Sequence, residues 1–358
     1  MAAIILDKVT KNFGALVASD RVSLDIGDGE FFTLLGPSGC GKTTTLRLVA
    51  GLEYPDSGNV LIGGNDVTRV QPAKRRIAMV FQNYALYPHM TIRQNISYPL
   101  RLRKVEKDEI ERKVLDVSER LDIYRVLDRF PAEVSGGQQQ RTAVARAMVQ
   151  GPSAYLFDEP LSNLDARLRL ESRRFLKQVL KETGGTAVYV THDQTEAMAL
   201  SDRVGVMRDG RLVQVAPPEE LYARPADTFV AGFVGNLPMN LVKGKLTAGG
   251  QKFVAGDLKI GLDRTLPVKD GDDITLGVRP EDIAVIKEGT VNGSVVDVEH
   301  LGAERIVTFD CDGVDFFVRV VGDKRAGTGD KAKLLFPSDK MHFFDDSGDR
   351  IEAGQSLK

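Results

Sequence analysis

The stretch "GPSGCGKTT", residues 36 to 44, carries Gly-x-x-x-x-Gly-Lys-Thr, a spacing that leaves a chain few folds to choose from. Gly36, Gly39 and Gly41 let the backbone turn tightly and aim N–H groups into a concavity suited to an anion. Lys42 then has the reach for terminal phosphates, and the Thr43 hydroxyl is of the kind that binds magnesium. A helix beginning near Thr43 would add the positive end of its dipole. The flanks fit this setting. "EFFTLL" before the loop is an apolar, strand-like run, and "TTTLRLVAGL" after it reads as a helix with Leu46, Val49 and Ala50 on one face and Gly51 as its stop. Cys40 lies inside the loop without an evident partner, so its thiol is read as incidental to catalysis. Its position predicts that a bulky thiol reagent inhibits and that nucleotide protects.

A chain of 358 residues has room for two domains, or for one large domain and an appendage. A formal charge of −2 with interspersed signs lacks the basic field that non-specific nucleic-acid binding needs, so no nucleic-acid partner is expected. Cys40 and Cys311 offer neither metal-ligand spacing nor a disulfide framework, which suits a reducing compartment. "AAIIL" near the start is short and is interrupted at Asp7, so it reads as neither a signal peptide nor a membrane span. Any membrane role would run through a partner.

Residues 1–235 alternate strand-like and helical patterns, the mark of a mostly parallel sheet covered by helices. Within them, polar and charged helical sequence such as "RKVEKDEIERKVLDVSERLD" predicts a helical subdomain over about 88–150. Residues 236–358 change to short β-branched strands punctuated by Gly and Asp, which predicts a separate all-β domain of one or two small barrels. The boundary is expected between Asn236 and Leu241.

In an open α/β sheet, ligands collect outside the carboxyl ends of the strands. "AYLF" ends in Asp158 and Glu159, and "TAVYV" ends in Thr191, His192 and Asp193, so these strand ends and the phosphate loop should share one rim. Asp158 has the position of a carboxylate that holds magnesium through water, and Glu159 is placed to polarise an attacking water. Acids before Pro160 are also ordinary turn formers, but beside a phosphate loop the chemical reading leads. His192 at a strand end on the same rim would contact a terminal phosphate. "VSGGQQQRTAVARAMV" supplies a second anion-suited helix start, with Ser135 and Gln138 at capping-box spacing. One nucleotide seldom needs two such starts; a head-to-tail dimer does.

With these pieces assembled, the chain resembles ATP-binding cassette proteins over nearly its whole length. The resemblance is carried by Gly36 to Thr44, Gln82 in "VFQNYALYPHMT", "VSGGQ", the acids of "AYLFDEP", Asp165 in "LSNLDA" and His192 in "VTHDQTEA". It implies an α/β P-loop ATPase domain with a helical subdomain, followed by a C-terminal all-β, OB-like barrel domain for dimerisation or regulation. It implies ATP and Mg²⁺ as cofactors, with Gly36, Pro37, Ser38, Gly39, Cys40, Gly41, Lys42, Thr43 and Thr44 around the phosphates and Phe13 stacked on adenine. Thr43, Gln82 and Asp158 would serve the metal, and Glu159, His192, Gln82 and Lys42 the hydrolysis. Ser135, Gly136, Gly137 and Gln138 would close over ATP bound to the other subunit, with Asp165 joining the two sites. Val134 stands where the family usually has Leu, a change that leaves the phosphate-facing residues intact.

"FVGNLPMN", "LGVRPEDI" and "FDEPLSNLDARLR" look like importer ATPases of the maltose and glycerol-phosphate type. Leu237 departs from that group, and "QQQR" at 138 to 141 is also similar to polyamine-importer subunits, so a sugar, polyol or glycerol-phosphate-type solute is the first expectation and a polyamine or other small solute the alternative. The resemblance implies a homodimer or a heterodimer of close paralogues at the cytoplasmic face of the inner membrane. Two permease subunits would dock near Asn83 to Thr91, and an extracytoplasmic solute-binding protein would act through them. Tyr84 and Tyr87 in that segment suit docking and core equally. Other classes fit less well: no Asn-Lys-x-Asp motif points to a GTPase, no long coiled-coil insertion to a repair or translation ATPase, and a regulator without turnover would lack Glu159 or His192.

Overall fold

The computed structural model describes residues 2–263, 266–322 and 327–352. Residues 264–265, 323–326 and 353–358, all within the expected second domain, lie outside the described residues. The chain divides into two compact units, Met1–Glu219 and Glu220–Lys358.

In the first unit, β1 (Ile4–Phe13) and β2 (Leu16–Ile26) form a hairpin, and β3 (Phe31–Leu35) leads through the phosphate loop into α1 (Lys42–Ala50). With β4 (Ser57–Ile62) and β5 (Asn65–Asp66), the hairpin completes an antiparallel sheet ordered β2-β1-β4-β5. β6 (Ile77–Val80) is followed by α2 (Ile92–Leu102), α3 (Lys107–Arg120) and α4 (Gly136–Met148), the helical subdomain. β7 (Ala154–Asp158), α5 (Ala166–Thr183), β8 (Thr186–Thr191), α6 (Gln194–Leu200), β9 (Arg203–Arg208) and β10 (Arg211–Ala216) finish the unit. The larger sheet runs β10-β9-β3-β8-β7-β6, parallel except for β10.

Why these segments are central is visible in their composition. "FFTLL", "AYLFD" and "TAVYVT" are buried at every position, as strands of a parallel sheet covered on both faces must be. Their register sets the site: Leu35 lies opposite Thr191, and Val190 opposite Asp158. The residues that follow therefore leave the sheet together on one rim. α1 stops where expected, at Gly51 with φ 75°, whose N–H caps the last turn. The helical subdomain closes on Ile92, Ile96, Leu100, Val114, Val117 and Val144.

Helix α7 (Pro218–Ala223) runs across the division, and in the second unit α8 (Thr228–Phe233) precedes the strands β11 (Asn240–Thr247), β12 (Lys252–Ala255), β13 (Leu258–Gly261) and β14 (Asp273–Val278). β15 (Ala284–Val285), β16 (Val291–Leu301), β17 (Glu304–Cys311), β18 (Val314–Val321), β19 (Lys331–Leu335) and β20 (His342–Phe344) follow. They form two antiparallel sheets, β13-β12-β11-β14-β20 and β15-β19-β16-β17-β18, around a shared core that includes Phe253, Phe309, Phe316 and Phe343. Buried Asn240 ties the sheets: its amide donates to the carbonyls of Val278 and Phe317 and accepts from the Phe317 N–H.

The division at Glu219 falls upstream of the 235/236 boundary expected from composition, and Arg279 gives the reason. Its buried guanidinium donates to the carbonyls of Tyr222 and Val234, each at 2.7 Å, and lies 3.6 Å from the Tyr222 ring centroid. Burial pushes its pKa down to about 10. The helices before the strands are thus pinned to the all-β unit by an arginine that follows them in sequence.

Candidate functional site

The phosphate loop is shaped by backbone constraints that only glycine meets. Gly41 has φ 104°, and a Cβ there would meet the Ala18 carbonyl oxygen at 2.1 Å. A Cβ on Gly36 would meet the Met207 carbonyl oxygen at 2.5 Å. Within the loop, Lys42 Nζ donates to the carbonyls of Gly36 (2.8 Å) and Pro37 (2.9 Å), which holds the ammonium at the mouth of the turn. α1 starts at Lys42, so its free N–H groups and dipole point into the same space.

Opposite the loop, the Thr43 hydroxyl donates to Asp158 Oδ1 at 3.0 Å. Asp158 is buried, and desolvation pushes its pKa up, opposed by the Thr43 hydrogen bond and by the charge of Arg47. A buried carboxylate beside a hydroxyl is a hard-oxygen donor set in want of a cation, so the residues present fit magnesium. Among the described residues no cluster of three or more His, Cys, Asp or Glu forms a site held by protein ligands alone.

Glu159 follows Asp158 with φ 46°, a left-handed conformation unusual outside glycine, and its N–H donates to the Val190 carbonyl. This kink turns its side chain to His192, with Oε2 3.0 Å from Nδ1. Lys42, Thr43, Asp158, Glu159 and His192 therefore gather at the carboxyl ends of β3, β7 and β8.

Gln82 is exposed just after β6, and its carbonyl accepts from the Asn163 amide at 3.1 Å. Asn163 and Ser162, whose hydroxyl donates to the Glu159 carbonyl at 3.0 Å, were not singled out by sequence. Their signal was the "LSNLD" spacing, which led only to Asp165. Asp165 caps α5 by accepting from the Leu168 N–H. Phe13 ends β1 at 46% exposure, with Leu16 and Val17 also exposed across the turn, an apolar tip of which sequence reading named only Phe13.

Ser135 caps α4 and Gln138 reaches back to its N–H, completing the expected capping box. A Cβ on Gly137 would meet Leu168 Cδ1 at 2.9 Å, so any larger residue there must push the end of that side chain aside. Among the described residues, no hydrogen bond or ion pair joins 135–138 to the phosphate loop. The segment after Gln82 divides its tyrosines: Tyr84 is core, at 6% exposure, and Tyr87 faces out at 37%. Arg146 of α4 donates to the carbonyls of Tyr84 and Ala85, both at positive φ.

The surroundings of Cys40 bear on how fast a thiol reagent would act there. Its side chain is 4% exposed among core residues, and burial pushes the thiol pKa up despite nearby Lys42. The thiolate is the reacting form, so a bulky maleimide at neutral pH should label Cys40 slowly even without nucleotide. Intact-mass counting of labelled thiols checks this, and rapid stoichiometric labelling of Cys40 would overturn it.

Taken together, the fold and rim define a P-loop ATPase with a helical subdomain and an appended OB-like β unit. The comparisons narrow this further. Residues 19–162 match the "ABC transporter" family model, residues 238–283 the "MalK OB fold domain" and residues 276–344 the "TOBE domain". The trehalose/maltose import ATP-binding protein of Thermococcus litoralis is 46% identical, with 96% of this chain and 98% of the relative covered. The sn-glycerol-3-phosphate import ATP-binding protein of Brucella abortus is 44% identical over 98% of this chain and 99% of its own length. The xylose/arabinose import ATP-binding protein of Haloferax volcanii is 46% identical over 96% and 94%. Among solved structures, the ATP-binding cassette MJ0796, dimeric in a post-hydrolysis state bound to ADP and Pi, superposes with TM-score 0.54 at 32% identity, covering 60% of this chain and 98% of that one. The chain belongs to the ATP-binding cassette transporter family, as an import ATPase whose ATP hydrolysis is coupled to transport.

Proposed function

We propose that this chain powers uptake of a sugar, polyol or glycerol-phosphate-type solute as one half of a cassette dimer that closes over two ATP and reopens on hydrolysis. The observation that carries this reading is the pairing of a complete phosphate rim with a second anion-suited helix start, Ser135 to Gln138, that makes no bond to that rim within its own chain. Lys42 and the loop N–H groups bind and orient the β- and γ-phosphates. Thr43, Asp158 and Gln82 would hold magnesium, which when bound neutralises phosphate charge. Glu159 accepts a proton from the attacking water, His192 orients against the γ-phosphate, and Phe13 stacks on the base. Ser135, Gly136, Gly137 and Gln138 of the other subunit complete the site, and Asp165 lies at the seam. A solved dimer of a related cassette supports this arrangement.

The relatives' names include sugar, pentose and glycerol-3-phosphate importers, which favours that class over polyamines. No described helix is long and apolar enough to cross a membrane. From the likeness to import ATP-binding proteins, we assign the membrane path and solute choice to two permease subunits docked near Asn83 to Thr91, with a solute-binding protein outside and this chain at the cytoplasmic face. Arg146, joining that segment to α4, whose start is Ser135 to Gln138, gives docking a route to the nucleotide. The all-β unit is assigned to dimer contact or regulation.

Ser135→Arg tests the shared site. It removes a cap, costing about 1 kcal/mol, and sets bulk where the other subunit's phosphates would lie. ATP binding should stay within a few-fold of wild type while steady-state hydrolysis falls by at least about tenfold. Normal turnover would rule out the shared site. For solute class, expression in cells lacking only the ATPase of a maltose or a glycerol-3-phosphate importer should restore uptake of that solute. Restoration of polyamine uptake alone would overturn the assignment.

A further inference from the structure

We infer that Arg169 is a positioning residue for hydrolysis, tying the segment that bears Asp165 to the turn that bears His192. The inference rests on the proposed roles of Glu159 and His192. Arg169 lies near the N-terminus of α5, where the helix dipole disfavours a cation, and Asp165 already caps that helix. Arg169 Nη2 donates to the Leu164 carbonyl (3.1 Å) and Nη1 to Asp193 Oδ2 (3.3 Å). Nε is buried without a hydrogen bond and lies 4.0 Å from Glu196 Oε1.

The receiving side is equally constrained. Asp193, next to His192, uses its other oxygen to cap α6 by accepting from the Glu196 N–H, and its own N–H donates to the Thr191 hydroxyl. Glu196, 2% exposed, accepts from the hydroxyls of Tyr189 and Thr191, each at 2.8 Å. Arg169 connects this bonded turn to the 161–165 segment through its bonds to Asp193 and to the Leu164 carbonyl. The same segment holds Glu159 through Ser162 and Gln82 through Asn163. A shift of Leu164 and Asp165, where the other subunit is proposed to lie, is thereby passed to His192 and its 3.0 Å contact with Glu159. Arg169 touches no reacting atom itself.

The test uses the full-length chain, measuring Mg-ATP hydrolysis, ATP affinity and thermal midpoint for Arg169→Met, Arg169→Lys, Asp193→Asn and the Met/Asn double variant. Asn keeps the helix cap while losing the charge. We expect Arg169→Met to lower kcat about tenfold or more with ATP affinity within about twofold, Arg169→Lys to recover part of the loss, and the double variant to be no worse than the worse single one. Should Arg169→Met not fold, Arg169→Lys against Asp193→Asn supplies the cycle. Unchanged kcat, losses that multiply in the double variant, or a fall in affinity matching the fall in kcat would each overturn the inference. A wild type that binds ATP without hydrolysing it would instead overturn the assigned chemistry of Glu159 and His192.

Discussion

Glu159→Gln is expected to leave Mg-ATP affinity within a few-fold of wild type while lowering turnover by about two to four orders of magnitude, the range general-base catalysis supplies. The amide is isosteric and keeps a hydrogen bond to His192, so the rim keeps its shape. What it loses is the ability to take a proton. Glu159 is held in a left-handed backbone conformation with its N–H on Val190, and such strain persists only where surrounding structure over-determines it. If closure depends on intact ATP, the variant should also accumulate as an ATP-dependent dimer, visible by light scattering. Turnover near the wild-type rate would remove Glu159 from the mechanism.

Lys42→Ala should weaken ATP binding by on the order of ten- to a hundredfold. A hydrogen bond to a charged group contributes about 1.5–3 kcal/mol, and tenfold in affinity corresponds to about 1.4 kcal/mol. The substitution also frees the carbonyls of Gly36 and Pro37, which Lys42 Nζ now ties together, so the loop loses order as well as charge. Titration of a fluorescent ATP analogue by wild type and variant measures the effect. Unchanged affinity would sink the phosphate-loop reading.

The rim was legible in sequence because its parts are contiguous: a strand, a loop with obligatory glycines and a capped helix start each fit within one window of residues. The ties between the windows were not. Asn163 and Arg169 bond to residues 81 and 24 positions away, and no local periodicity encodes such a partner. Arg279 was hidden for the same reason, since a cation in a strand-rich stretch reads as surface until its stacking on Tyr222 is seen. Tyr84 and Tyr87 share one short aromatic segment, and the first is buried on a stretch of positive φ at Tyr84 and Ala85 that no sequence pattern announces.

Gly137 faces two ways at once. Its missing Cβ admits Leu168 on one side while its backbone belongs to the proposed phosphate-binding start of α4 on the other. A loss of activity on substituting it would confound subunit contact with a shifted Leu168 side chain on α5, the helix that carries Arg169. Ser135, whose side chain serves only its own helix start in the isolated chain, is the cleaner probe of what a second subunit contributes.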